Sequence, residues 1–479
     1  MQTVKKKVDF TNGRIFLKIV WFVLPIIATN LLQMFYNAAD MMIASLSHES
    51  NAVGAIGITG SFIHLIVNVF IGFSVGANVV VAREIGARNK DRAQKAVHTS
   101  LMMGLGFGVI GMAVGLLISE SVLGYMGATG SLLRLANTYT CIYFLGVPFL
   151  ALTNYLISIF RAKGDAKTPL VVLSATGVLN VALNLFFVKV VGLSVEGVAI
   201  ATAVANLVSV VILLWKLQKD DDYTTFSWKQ LKIDKEAFRD IVRNGLPAGI
   251  QGAVFSLSNV LIQSSILSVS NAYMNSLFPD SLEAPIMNGS AASGNIEGFV
   301  YTAMNAVYQG SITVTSQNMG AGKPERIKRV MYSCFGITTI VGVLMALITI
   351  IFKAPLLSLY GVKDGAEGSL DALAMYAADV RYLYIIVPYF ILGMMEVTSG
   401  VLRGMGKSFI SMAIAVVGVC LLRIVWLRTV FLANPTLEII FVSYPITWVI
   451  ALTTAFIFIQ VLLREILKEK AREEVNTAA

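Results

Sequence analysis

Charged side chains are scarce in this sequence. Asp, Glu, Lys and Arg together make up 14% of its 479 residues, whereas hydrophobic residues make up 56%. A soluble globular protein is about one quarter charged. Apolar stretches of about 20 residues recur along the chain, and each is long enough to cross the hydrocarbon core of a bilayer. The composition therefore excludes an ordinary soluble fold and predicts an all-α polytopic membrane protein.

Cysteine and histidine are also rare, with three of each. The cysteines lie in apolar surroundings and predict buried thiols without a disulfide framework. Neither residue type occurs at metal-ligand spacing, and the chain has no P-loop, HExxH motif or Ser/His/Asp set. We therefore expect no cofactor, no resident metal and no enzymatic activity. The alternative, a membrane-embedded enzyme, would need His, Cys or acidic residues clustered at one depth of the membrane.

The apolar stretches number twelve. Because this number is even, both termini are predicted to lie on the same side of the membrane. The predicted spans lie near residues 16–45, 55–81, 97–123, 136–160, 169–191, 195–216, 246–270, 296–316, 330–352, 378–401, 409–429 and 438–463.

The basic residues indicate which side that is. Most of the 37 Lys and Arg residues fall near the termini and in the segments after spans 2, 4, 6, 8 and 10. By the positive-inside rule, this asymmetry predicts cytoplasmic termini in the inner (cytoplasmic) membrane of the cell. The net charge of +9 would suit nucleic acid. Because the basic residues lie in short loops between apolar spans, we instead expect the protein to be surrounded by a lipid bilayer and to have no nucleic-acid partner.

The chain carries an internal duplication. Segments 86–92 and 320–326 are similar, and each lies between two long apolar stretches. Further matching pairs occur in the same order: Pro25 and Pro247 in Leu-Pro steps, residues 143–149 and 384–389, and residues 160–164 and 402–407. This order predicts an N-terminal and a C-terminal six-helix lobe, a cytoplasmic linker and a cytoplasmic tail, at residues 1–216, 245–463, 217–244 and 464–479 respectively. Membrane chains built in this way are usually transporters.

Four polar side chains are predicted to meet at one depth of the membrane. Asp40 lies in the outer half of span 1. Asn180 and Asn184 share one face of span 5 because they are four residues apart, and Thr202 lies at a similar depth on span 6. A carboxylate among amide and hydroxyl oxygens suits a hard cation such as Na⁺, and a buried carboxylate also suits a proton. Alternatively, the neutral residues make ordinary interhelical hydrogen bonds and Asp40 faces a water-filled vestibule.

A second acid, Glu396, lies within span 10, and the duplication matches it with Asn154. Ionisable groups inside spans are costly, so they are functional candidates by default. We assign Glu396 and Asn154 to a substrate cleft. The alternative for Glu396 is an ion pair with an arginine near the following loop, such as Arg403. Glu297 and Asp379 lie close to the outer ends of their spans, where we expect them to be solvated.

Three further residues are assigned to the same cleft, namely Tyr36 on span 1 and Arg423 and Trp426 on span 11. For Arg423, neutralisation of a neighbouring acid is the alternative. Pro25 and Pro247 lie within spans and kink them, because proline lacks the N–H that a helix needs. We interpret both prolines as hinges, with a static kink as the alternative.

A set of motifs runs through nearly the whole chain: Pro25 with Asp40, and residues 86–88, 160–165, 179–184, 196–202 and 402–408. With these motifs, residues 14–463 resemble the multidrug and toxic compound extrusion (MATE) family, of the DinF-like prokaryotic type. The resemblance implies twelve transmembrane helices in two lobes around a central cleft that opens alternately to the two sides. It also implies that the cation site comprises Asp40, Asn180, Asn184 and Thr202, although the family often has an acid where this chain has Asn184.

We therefore expect an antiporter, acting as a monomer, that exports cationic or amphipathic drugs or metabolites in exchange for H⁺ or Na⁺. A flippase for a lipid-linked or other amphipathic lipid cargo is the nearest alternative. A basic cavity would favour that anionic cargo, and within the spans Arg423 is nearly the only basic residue that would contribute to one. A major-facilitator transporter would also have twelve spans, but the segment after span 2 lacks that family's Gly-x-x-x-Asp-Arg-x-Gly pattern.

Overall fold

The computed structural model describes residues 8–47, 49, 51–220, 222–279 and 283–478. These residues form sixteen α-helices and no β-strand, and three π-helical turns lie at Phe186–Val190, Tyr382–Ile386 and Val416–Leu421. The helices are α1 (Ile15–Ala44), α2 (Ala52–Gly86), α3 (Lys90–Tyr125), α4 (Gly130–Ala162), α5 (Lys167–Leu185), α6 (Val195–Lys219), α7 (Lys235–Leu277), α8 (Pro285–Gly320), α9 (Ile327–Ile351), α10 (Lys353–Ser358), α11 (Leu370–Arg381), α12 (Tyr389–Gly404), α13 (Ser408–Ala415), α14 (Leu422–Arg428), α15 (Val430–Ala433) and α16 (Leu437–Ala478).

Every predicted span lies on one helix or on consecutive helical segments. By length and composition, ten helices of the described ranges are able to cross a membrane, and Leu370–Ile386 with Tyr389–Gly404 forms one more span, bent by 44°. The remaining predicted span lies on α8, whose Asn, Gln, Ser and Thr residues lower its hydropathy. The predicted all-α membrane fold is therefore confirmed, while the domain boundaries stay predictions.

One compact unit combines the chain up to Ala253 with Ile312–Lys323 and Gly404–Ser408. At its centre α4 packs against α2, α3 and α6. Glycines on α3 permit this packing, since a Cβ on Gly115 would lie 2.3 Å from the ring of Phe144. Small residues at such spacing let transmembrane helices approach closely. The α3–α4 contact therefore follows directly from the local sequence.

The two duplicated glycine segments meet within this first unit. A Cβ on Gly86, at the end of α2, would lie 2.1 Å from the backbone oxygen of Gln317 on α8. A Cβ on Gly320, the matching glycine at the end of α8, would lie 1.8 Å from the backbone oxygen of Arg83. Each glycine thus permits close contact with the helix that carries the other copy. The two duplicated segments therefore form basic turns and also supply the glycines through which α2 and α8 pack together.

We expect Gly320→Ala to lower the free energy of unfolding by about 1–3 kcal/mol, the usual cost of overpacking. The atom that opposes the new methyl group belongs to the backbone and cannot rotate away. Gly106→Ala on α3 is the matched control, because a Cβ there meets nothing within 4 Å and alanine favours the helix. Thermal unfolding in detergent compares the two variants. Equal melting temperatures would contradict the close contact.

The polar linker after α6 is held in place within the first unit by salt bridges and a hydrogen bond. Lys163 forms salt bridges with Asp220 and Asp222, and its side chain is 2% exposed. The backbone N–H of Ser227 donates to His98 Nε2 at 3.1 Å. In the sequence, Lys163 counts as one more basic loop residue. The structure gives it a packing role, because its ammonium group is buried and requires the linker's carboxylates.

The second unit combines Val254–Ser311, Pro324–Arg403 and the chain from Phe409 onward. Its long helix α16 packs against α11, α14 and the two π-helical turns of this unit. A π-helical turn inserts an extra residue, and such turns are frequent at functional sites. One of them directly follows Arg381, and the other ends two residues before Arg423. Because Arg423 follows such a turn, regular helical periodicity does not predict the face on which it lies.

Candidate ion and cargo sites

Asp40 lies near the end of α1 in contact with both predicted asparagines. Asn184 Nδ2 donates to Asp40 Oδ1 at 2.5 Å. In the amide orientation that suits its neighbours, Asn180 Nδ2 donates to the same oxygen at 2.9 Å, and its Oδ1 accepts from Thr202 Oγ1 at 3.3 Å. The four residues that the sequence places at one depth thus form one connected group within the first unit, the Asp40 group.

One acceptor in the Asp40 group has no partner. Asn184 is fully buried, and its Oδ1 accepts no hydrogen bond within the described ranges. A buried acceptor left without a partner costs about 1–3 kcal/mol. Asp40 and Thr202 are only partly buried, so the group is not sealed from its surroundings. The arrangement therefore offers a carboxylate and an available amide oxygen to a cation or a proton.

Tyr36 borders the Asp40 group, one turn earlier on α1. Its ring packs against Gly177 of α5, where a Cβ would lie 1.9 Å from the ring. Its hydroxyl donates to the backbone oxygen of Ser174 at 3.2 Å. Tyr36 is therefore positioned by the contact between α1 and α5. Its assignment to a substrate cleft stays a prediction.

Asn154 and the two candidate hinge prolines belong to the same unit but not to the Asp40 group. Asn154 Nδ2 donates to the backbone oxygen of Leu150 on its own helix at 2.9 Å. Pro25 and Pro247 lie inside α1 and α7, and both helices continue through them. The Thr29 hydroxyl donates to the backbone oxygen of Pro25 at 2.8 Å. The roles proposed for these three residues stay predictions.

Glu396 lies on α12 in the second unit and is partly buried. Its carboxylate forms no hydrogen bond or salt bridge in the part of the chain that the structure describes. Arg403 is near enough to interact with it electrostatically, but the Arg403 guanidinium lies over the Tyr308 ring, 5.7 Å from its centre. The ion pair considered as an alternative for Glu396 is therefore not formed.

Arg423 and Trp426 lie on α14 with partners different from those of Glu396. Arg423 Nη2 donates to Thr447 Oγ1 at 3.1 Å, and its guanidinium lies 3.8 Å from the centre of the Tyr444 ring. Trp426 Nε1 donates to the backbone oxygen of Ile439 at 2.8 Å. Within the described ranges, no hydrogen bond or salt bridge joins either residue to Glu396. The predicted cargo residues of the second unit therefore form two groups.

The prediction for Glu297 is wrong. We expected a solvated carboxylate, but its side chain is 13% exposed and lies 2.8 Å from Arg381 Nη2. The Tyr389 hydroxyl donates to its other oxygen at 2.9 Å. Asp379, by contrast, is 47% exposed, as expected. The sequence signal for the buried pair is Arg381 itself, because an arginine inside a predicted span requires a partner.

The chain is similar to known proteins along most of its length. The MatE family model matches residues 25–186 and 257–429. The probable multidrug resistance protein YoeA of Bacillus subtilis is 25% identical over 80% of this chain and 80% of its own length. The multidrug export protein MepA of Staphylococcus aureus is 24% identical over 53% of this chain and 56% of its own length.

A solved structure shares the fold. It is described as the outward-facing conformation of a multidrug resistance MATE family transporter of the MOP superfamily. The match has a TM-score of 0.84 at 20% identity, and it covers 98% of this chain and 100% of the other. The family model spans well over half of the sequence and both copies of the duplication. The chain therefore belongs to the MatE family of multi-pass membrane transporters.

Proposed function

We propose that this transporter is a secondary active antiporter that exports cationic or amphipathic drugs or metabolites in exchange for H⁺ or Na⁺. The observation that carries the proposal is the Asp40 group, in which one carboxylate faces two amides beside a hydroxyl. Ionisable groups inside membrane helices commonly mark ion pathways. The relatives described as multidrug resistance and export proteins support the class of cargo.

The amides of Asn180 and Asn184 give the Asp40 group two states. With the Asn180 amide oriented to suit its neighbours, both Nδ2 atoms donate to Asp40, so that a charged carboxylate is stabilised without a cation. A turn of about 180° about each terminal torsion exchanges the amide nitrogen for the oxygen. Na⁺ would then be held by carboxylate, amide and hydroxyl oxygens, which are the ligands that hard cations prefer.

Binding of a proton by the Asp40 group needs fewer ligand atoms than binding of Na⁺. A protonated Asp40 is a hydrogen-bond donor, and the buried Asn184 Oδ1, which has no partner in the described ranges, is an acceptor beside it. Binding of either ion neutralises Asp40, and its release restores the charge. We propose that Asp40 holds the coupling ion in one phase of the cycle and releases it in the other, so that cargo leaves when the ion arrives.

Glu396 is the proposed attraction for cationic cargo. Its carboxylate has no salt-bridge partner among the described residues, and the aromatic residues Tyr301 and Tyr308 lie within its electrostatic reach. A negative charge beside aromatic rings suits an organic cation, because the faces of the rings also attract positive charge. Alternating access would expose this acid and the Asp40 group to each side of the membrane in turn.

The proposal includes the setting in which the protein works. We propose a monomer in the inner (cytoplasmic) membrane, surrounded by lipid, with both termini in the cytoplasm. We further propose that it needs no cofactor or resident metal, catalyses no covalent reaction and has no nucleic-acid partner. In this proposal the protein binds only two kinds of species during transport, the small-molecule cargo and the coupling ion.

Transport of ethidium by proteoliposomes tests the proposal. The purified protein is reconstituted once with a Na⁺ gradient and once with a pH gradient, each without the other. We expect ethidium to move against the flow of one ion, and that ion to move faster when ethidium is present. If neither gradient moves ethidium and ethidium accelerates neither ion, the antiport proposal is wrong.

We expect Asn184→Asp to make transport more dependent on Na⁺. A second carboxylate beside Asp40 strengthens the field around a cation, and a gain of about 1.4 kcal/mol corresponds to tenfold tighter binding. The measurement is the Na⁺ concentration that gives half-maximal ethidium transport. Asn206→Asp is the matched control, because the Asn206 amide donates to the backbone of Thr202 and lies outside the group. An unchanged Na⁺ requirement in Asn184→Asp would argue against a cation at this position.

A further inference from the structure

Arg423 belongs to a buried polar cluster of the second unit. The residue is 3% exposed. Its guanidinium stacks on the Tyr444 ring and donates to the Thr447 hydroxyl at 3.1 Å. Both contacts fix the position of the guanidinium, and the ring face also attracts its charge. Neither contact, however, supplies a full negative charge.

The carboxylate of this cluster, on Glu297, already accepts hydrogen bonds from Arg381 and Tyr389. Glu297 is within electrostatic reach of Arg423, but its Oε2 accepts from Nε and Nη2 of Arg381, at 2.9 and 2.8 Å. Its Oε1 accepts from the Tyr389 hydroxyl at 2.9 Å. No salt bridge to Arg423 is present within the described ranges. One carboxylate therefore faces two guanidinium groups, and the cluster carries one excess positive charge.

The Arg423 Nε–H group has no acceptor in the described part of the chain. A buried donor without a partner costs about 1–3 kcal/mol, and an uncompensated buried charge adds a further penalty. Charges inside membrane helices are usually paired or mark a ligand pathway. An anion bound at Nε would supply both the missing acceptor and the missing charge.

We propose that Arg423 is the centre of a binding site for an organic carboxylate. The N–H groups of a guanidinium match the two oxygens of a carboxylate better than they match a spherical ion. Tyr444 and Tyr389 both pack edge-to-face on Trp448, with ring centres 5.8 and 5.6 Å from it. Tyr389 and Trp448 are each 3% exposed, so the Tyr444 ring is the aromatic face offered to the apolar body of an aromatic or amphipathic acid. Tyr444 is partly exposed, and in this proposal the ligand enters beside it.

The site goes beyond the proposed export of cations, because it selects the opposite charge. It extends the range of ligands to anionic and zwitterionic amphiphiles. It does not require the Asp40 group, and binding to it is measurable without transport. A failure of the antiport proposal and a failure of this proposal are therefore distinguishable.

Benzoate binding to the purified protein tests the proposal. Calorimetric titration and melting temperature in detergent are measured with benzoate, with neutral benzyl alcohol, and with chloride and inorganic phosphate at constant ionic strength. We expect saturable binding and stabilisation by benzoate, and neither with benzyl alcohol. Arg423→Gln should weaken benzoate binding by about tenfold or more, which corresponds to 1.4 kcal/mol. Arg428→Gln, which removes an exposed arginine from the same helix, should leave benzoate binding unchanged.

Two further variants keep the test decisive if Arg423→Gln does not fold. Arg423→Lys keeps the charge but loses the planar N–H groups, and should bind benzoate several-fold more weakly. Glu297→Gln frees Arg381 from its carboxylate, so benzoate should bind more tightly and stabilise this variant more than the wild type. Equal benzoate responses in all of these proteins would overturn the proposal. So would an Arg423-dependent response to chloride or phosphate in the absence of a response to benzoate.

Discussion

We expect Asp40→Asn to abolish drug-dependent ion flux while leaving expression intact. An Asn at this position keeps the size of the side chain but can neither hold a proton nor balance the charge of Na⁺. The amides of Asn180 and Asn184 donate to Asp40 Oδ1, and an amide oxygen would still accept these hydrogen bonds. We therefore expect a folded protein whose ion-coupled ethidium transport falls by about tenfold or more, since loss of a charged ligand costs more than 1.4 kcal/mol.

Two control variants make this result specific. Asp40→Glu keeps a carboxylate and should retain part of the coupled flux. Asp379→Asn removes a carboxylate that is 47% exposed and paired with Lys353, and should transport like the wild type. The measurement is ethidium-dependent acidification or Na⁺ movement in proteoliposomes, with gel filtration as the check on folding. Coupled flux at the wild-type rate in Asp40→Asn would rule out the proposed role.

We expect Glu297→Gln to lower the free energy of unfolding by about 3–5 kcal/mol, the usual cost of leaving one partner of a buried salt bridge unpaired. Arg381 would keep its charge among helices, and its guanidinium would lose a carboxylate that now receives both Nε and Nη2. The loss would appear as a lower melting temperature in detergent. Because two arginines share this carboxylate's field, the effect should be large even though Gln still accepts a hydrogen bond.

Asp379→Asn is the matched control for stability as well. Its salt bridge with Lys353 is partly exposed, and exposed pairs contribute about 0–1 kcal/mol. A double variant, Glu297→Gln with Arg381→Met, removes both charges and should be less destabilised than the sum of the two single variants. Equal destabilisation by Glu297→Gln and Asp379→Asn would show that the buried pair does not stabilise the fold.

The location of the Asp40 group could be predicted from the sequence, but its bonding could not. Depth follows from counting residues along a helix at about 1.5 Å each, so Asp40, Asn180, Asn184 and Thr202 were predicted to meet. Whether the two amides face the carboxylate at all depends on the rotation of α1 against α5. That rotation is set by side-chain packing such as Tyr36 on Gly177, and hydropathy does not report it.

The charged residues of the second unit show the same limit. Glu297 and Asp379 occupy similar positions near the ends of predicted spans, yet only Glu297 is buried against an arginine. Glu396 and Arg423, assigned to one cleft, have different neighbours, because Glu396 lies within electrostatic reach of Arg403 whereas Arg423 donates to Thr447. Two π-helical turns adjoin Arg381 and Arg423. Such a turn rotates the residues that follow it, so regular helical periodicity cannot give the face on which Arg423 lies.

The sequence by itself determined that this protein is helical, crosses the membrane many times and was built by duplication. These properties are local, because each span satisfies its own backbone hydrogen bonds and its hydropathy can be summed along the chain. Only the tertiary structure decided that the Asn184 amide oxygen accepts no hydrogen bond from the described residues and that the Glu297 carboxylate binds Arg381. It also decided that Arg423 contacts Thr447 and Tyr444 and forms no salt bridge among the described residues. These outcomes depend on which side chains meet across different helices, and such pairing is set by helix rotation and close packing.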